Sequence, residues 1–197
     1  MRTISGLYDT YDEATLAVEA LEDAGISSSD ISLVAPDGTR AEVQDADDTV
    51  AGASVGAALG GVGGLLAGLG TFAIPGIGPV VGAGWLATTL IGAAAGGAVG
   101  GLLGSLTDAG IDEQDAHVYA EGVRRGRTLV TARVEETQAD AAQAILGQSS
   151  DTAELRREFE ADGWAGFNVS DDPWEEDARS EYRRGQDEDP IITPFPR

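Results

Sequence analysis

His117 is the only histidine in the chain, and on a helix it has Glu113 four residues before it and Glu121 four residues after it. Residues four apart share a helix face, so this spacing presents Glu, His and Glu together, a set that can hold a metal ion. The plainer reading is an ordinary charged helix surface, and no metal site is expected. Arg124, Arg125 and Arg127 form the densest basic cluster of the folded part. Such a cluster can take a phosphate or another subunit's carboxylates; pairing with this protein's own acids is the simpler outcome. The carboxylate pairs Asp47/Asp48, Asp171/Asp172 and Glu175/Glu176, and the run Asp187–Asp189, sit in charge runs of the kind that stay solvated.

The glycine-rich stretches do not supply a nucleotide site. A phosphate-binding loop of the Walker type ends in Gly-Lys-Ser/Thr, and the chain contains no lysine. Gly61, Gly63 and Gly64 fall inside an apolar arm and not at a strand-to-helix turn, which rules out a dinucleotide fingerprint. Cysteine is absent, so disulfides, thiol catalysis and thiolate metal sites are excluded. No catalytic residue, cofactor or enzyme activity is expected.

Between Asp48 and Asp108 there is no charged residue. Glycines recur there at 52, 56, 60, 64 and 68, and again at 92, 96, 100 and 104. Each glycine costs a helix about 1 kcal/mol relative to alanine, so propensity opposes an isolated helix. The four-residue spacing favours a packed one, because a stripe without side chains lets two backbones approach closely. Pro75, Gly76, Gly78 and Pro79 lie between the two ladders and break any helix. These features predict a glycine-zipper helical hairpin over 49–107, with helix packing through Gly52, Gly56, Gly60, Gly64, Gly68, Gly92, Gly96, Gly100 and Gly104. Pro75, Gly76, Gly78 and Pro79 form its turn. Each arm is long enough to cross a bilayer core, although the flanks are acidic and lack positive-inside anchors.

The elements on either side are legible. Residues 2–8 (RTISGLY) read as a strand. Thr10 followed by Glu13 reads as a capping box for YDEATLAVEALEDAG, with Gly25 as the stop. Residues 31–34 give a second strand. Asp112 caps EQDAHVYAEGVRRG, which ends at Gly126, and residues 127–134 (RTLVTARV) form a strand with Val130, Ala132 and Val134 on one face and Leu129 on the other. Thr137 is expected to cap QADAAQAIL, and Asp151–Gly163 reads as a further helix with Leu155 and Phe159 on one side. Joined across the hairpin, the flanks give a ferredoxin-like α/β sandwich of the α+β class from residues 1–38 plus 109–150. Residues 151–165 form an accessory helix and 166–197 an acidic mobile tail.

The blocks LLAGLGTFAIPGIGPVVGAGWLATTLIGAAAGGAVGGLLGSLTDAGI and DEQDAHVYAEGVRRGRTLVTARV resemble the heat-induced general stress protein family with a YflT-like domain. The resemblance spans roughly residues 3 to 165, and its most telling pieces are AIPGIGPV and YAEGVRRGRTLV. It implies a small ferredoxin-like fold interrupted by a glycine zipper, and a stress-linked protein of the cytoplasm or its membrane face. Net charge is -22 and the pI about 4.1, so nucleic acid and anionic lipid are poor partners. The N-terminus shows no signal-peptide pattern, and a cytoplasmic start is expected. The expected partners are a second copy of the chain and, through residues 50–106, membrane lipid. Two other readings stay open: a soluble homo-oligomer with bundled hairpins, and a small-ligand-binding domain.

Overall fold

A computed structural model describes residues 1–37, 69–96 (side chains as far as Leu90) and 101–168. The fold is α+β, built on a five-stranded, wholly antiparallel sheet with order β1-β5-β2-β4-β3. Its strands are β1 (Arg2–Tyr8), β2 (Ile31–Pro36), β3 (Gly70–Ile74), β4 (Gly78–Ala83) and β5 (Thr128–Val134). The helices are α1 (Tyr11–Asp23), α2 (Gly84–Gly96), α3 (Gly101–Asp108), α4 (Glu113–Arg124), α5 (Ala139–Leu146) and α6 (Thr152–Ala161).

Local chemistry explains most boundaries. The Thr10 hydroxyl accepts from the Glu13 amide, Asp112 from Gln114 and Asp151 from Ala153, each satisfying an amide that the first helical turn leaves open. The cap expected from Thr137 is not made. Gln138 stands at that position without a side-chain bond, because residues 136–138 turn once before α5 begins.

β1 and β2 are parallel to each other, and β5 runs between them, antiparallel to both. A strand that arrives about a hundred residues later thus closes the β1-α1-β2 unit. Alternation along β5 feeds two cores. Val130, Ala132 and Val134 join Ile4, Val18, Leu21 and Leu146 beneath α1 and α5. Leu129 joins Leu7, Val34, Leu86, Leu102 and Phe159 beneath the remaining helices. Both sheet faces are therefore covered, whereas the expected ferredoxin-like sandwich covers one.

The largest departure from expectation is in the glycine-rich region. Residues 70–83 are not helical: they form a β-hairpin that extends the sheet beyond β2. Pro75 and Gly76 do break the chain, but as the two central residues of a turn in which the Ile77 amide donates to Ile74 O at 3.0 Å. Proline followed by a glycine at φ +81° is the type II pattern. Gly78 continues at φ +100° and opens β4. Pro79 is tolerated because it pairs with Ala73 of β3 and lies past the end of β2, so no neighbour on that side lacks its N–H.

The second ladder is shared between two short helices. Gly92 and Gly96 lie on α2 and Gly104 on α3, while Gly100 falls outside the described residues. A methyl group on Gly104 would meet no described atom. What α2 and α3 bury is leucine, through Leu86, Leu90, Leu102 and Leu106 in the second core. Gly52, Gly56, Gly60, Gly64 and Gly68 lie outside the described residues. Among the described residues, no helix is long and apolar enough to cross a membrane.

Candidate functional site

The residues singled out for chemistry meet on α4 and the turn that follows α6. α4 lies close over the sheet because Gly122 faces Leu7 of β1; any side chain at 122 would collide with the leucine. That approach buries Glu121, which is 1% exposed. Two arginines one turn on neutralise it. Arg125 Nε donates to Glu121 Oε1 at 2.6 Å, and Arg124 Nη2 sits 2.6 Å from Oε2 as an ion pair without good hydrogen-bond angles.

Arg125 also donates to Asp162 at 2.7 Å and lies over the Phe159 ring at 4.3 Å. Burial alone would lower its pKa, but the hydrogen bonds to Glu121 and Asp162 outweigh that and hold it above its usual value. Arg124 covers the Phe167 ring at 5.6 Å, and Arg127 bonds Asp9 and, at 3.1 Å, the Ser150 hydroxyl. The cluster therefore pairs with this protein's own acids, the simpler of the two outcomes read from the sequence.

His117 is likewise engaged. Its Nδ1 accepts the Phe167 amide at 3.0 Å, so in this arrangement Nδ1 carries no proton. Glu121 being held by arginines, the Glu113, His117, Glu121 face cannot act as a three-ligand set. Among the described residues, no group of three His, Cys, Asp or Glu side chains could hold a metal ion.

Together these contacts fasten residues 162–168 along α4. Phe167 is buried at 7% exposure, and Trp164 packs edge-on against Phe159 with ring centroids 5.7 Å apart. The start of the segment expected to be a mobile tail is part of the second core. Sequence reasoning missed Asp162, Trp164 and Phe167; the two aromatics in an otherwise acidic stretch were the available signal. Beside them lies a groove of about 530 Å³ whose cationic walls are already matched by acids.

Trp85, a residue type suited to a membrane interface, is half-buried, with the Arg133 guanidinium 4.6 Å from its ring centre. The phenols of Tyr8 and Tyr119 are held protonated. Burial first, and then Glu13, push Tyr8 up to about 12, and burial with Asp115 raises Tyr119 further.

Residues 3–73 match the family model described as the heat induced stress protein YflT domain. This supports membership of the YflT-like general stress protein family. The matched segment contains α1, β2 and all but one residue each of β1 and β3, and stops before YAEGVRRGRTLV. No curated protein and no solved structure matches the chain. The YflT match indicates a general stress response protein.

Proposed function

We propose that this chain is a non-enzymatic general stress protein that works by self-assembly through its glycine ladder at 52–68. The observation that carries this reading is that β2 and β3 are parallel members of one sheet. Residues 37 and 69 flank strands separated only by β4; they stand about 10 Å apart laterally and, four residues apart in register, about 13 Å apart along the strands, well short of a bilayer core. A single bilayer crossing between them would put these two ends on opposite sides of a membrane. Two crossings need about 40 apolar residues, and the uncharged run before Leu69 covers only residues 49–68. Most of the stretch expected to form a second arm is occupied in the sheet and the second core. A spanning hairpin is thus disfavoured, and the acidic charge disfavours adsorption to anionic lipid.

What stays compatible is close packing of the ladder against another copy. In a helix, four-residue spacing gathers Gly56, Gly60 and Gly64 into one stripe. Gly60→Leu should then push the packed backbones apart and reduce the assembly, at a cost of roughly 1–3 kcal/mol. Gly60→Ala should assemble as wild type or better, since helix propensity improves by about 1 kcal/mol. Gel filtration with light scattering on the three proteins reads this directly. Unchanged mass in Gly60→Leu would remove the zipper, and carbonate-resistant pelleting of wild type would favour the membrane instead.

A further inference from the structure

The β1 edge of the sheet is open over half its length. Leu7 O accepts the Ser150 amide at 3.0 Å, and Ser5 O accepts the Tyr119 hydroxyl at 3.3 Å. Residues 3, 5 and 7 therefore direct their backbone groups away from β5, since alternate residues of a strand face alternate neighbours. The Thr3 and Ser5 amides have no partner among the described residues. A groove of about 580 Å³ runs along them, walled by Asp112 and Tyr119 on one side of the sheet and by Glu136 and Gln143 on the other. It straddles a strand edge, which is the shape of a site for an added strand.

We infer that residues 190–195 of this chain occupy the groove as a sixth strand, antiparallel to β1. The segment PIITPF is uncharged and centred on β-branched residues. Its prolines, and the one that follows, fall at 190, 194 and 196, all of one parity. In an edge strand that parity faces solvent, so every missing N–H lies on the outer side. Residues 191, 193 and 195 keep their N–H groups and face β1. Thr193 and Phe195 each precede a proline, which biases them to extended backbone.

Topology and charge agree. α5 leaves β5 and packs on β1, so a strand beyond β1 and antiparallel to it repeats the arrangement of β1, α1 and β2. The Ser150 bond to Leu7 already sits at the start of that position. Phe167 is held at His117 on the same helix as Tyr119, and the stretch from residue 168 to residue 190 can span up to about 70 Å. In the antiparallel sense Arg197 comes to the Met1 end, where Glu136 follows the end of β5 and Asp112 lines the groove.

Amide hydrogen exchange on the full chain tests this. Thr3 and Ser5 should exchange at least tenfold more slowly than exposed amides. Thr193→Pro, which deletes an inward N–H, should release both, as should truncation after Asp189. Ile192→Pro deletes an outward N–H and should leave them protected. Val130 of β5 should stay protected throughout, showing that the fold survives. Fast exchange of Thr3 and Ser5 in wild type, or equal behaviour of the two proline variants, would overturn the inference. Protection that rises with protein concentration would assign the strand to another copy and overturn it as well.

Discussion

Gly84→Ala should destabilise the protein by about 3 kcal/mol or more. Gly84 joins β4 to α2 at φ +86°, a conformation that costs an L-residue with a side chain about 1–2 kcal/mol. Space is the larger problem. A Cβ there would run into the Ile31 carbonyl oxygen and come within 2.8 Å of Ser32 Cα. Both are backbone atoms of the neighbouring strand β2, so no rotamer change relieves the contact. Gly110 is the internal control, with φ +90° and nothing within 4 Å of where a Cβ would stand. Gly110→Ala should lose only the conformational part, about 1 kcal/mol. Urea unfolding should therefore show a large shift in midpoint for the first variant and a small one for the second, at similar slopes. Equal shifts would mean that β4 and α2 do not approach β2 as described.

A fragment ending at Ile74 should not fold. It contains the whole segment that matches the YflT family model, but not β5, which supplies the pairing partner of both β1 and β2. Without β5, the two parallel strands have no ladder between them, and Val130, Ala132 and Leu129 are missing from both cores. Circular dichroism of the fragment should show no cooperative thermal transition, while a chain of residues 1–168 should show one. A cooperative transition in the fragment would establish the matched segment as an independent unit and show that β1 and β2 do not depend on β5 between them.

The flanks were legible because their periodicity and caps agree. Thr10 with Glu13, Asp112 and Asp151 all mark helix starts where they occur, and Leu129 and Val130 point to opposite faces as their alternation implies. Residues 70–83 misled because glycine on both sides hid a short strand pair. Thr71, Phe72, Val80 and Val81 are good strand residues, yet they lie within an uncharged stretch whose dominant period is four. Pro75 and Gly76 do mark a break, and only the third dimension shows that it separates strands.

The site divides in the same way. Glu121 with Arg124 and Arg125 is local helix spacing, readable at three and four residues. Asp162 is 37 residues from Arg125, and Asp9 is 118 from Arg127, distances at which sequence carries no pairing signal. Two of the close approaches that glycine does serve, at Gly84 and Gly122, do not come from packing of one helical ladder on another. They come from a left-handed junction and from a helix lowered onto Leu7.

The most direct measurement of the functional proposal is the solution mass of the full chain beside a variant with residues 49–68 replaced by a Gly/Ser linker of equal length. That exchange leaves every described strand and helix intact. Self-assembly through the ladder gives a multiple of the 20.2 kDa chain mass for the wild type and the monomer mass for the variant, with the same thermal transition once dissociation is allowed for. Identical masses for the two proteins would contradict it.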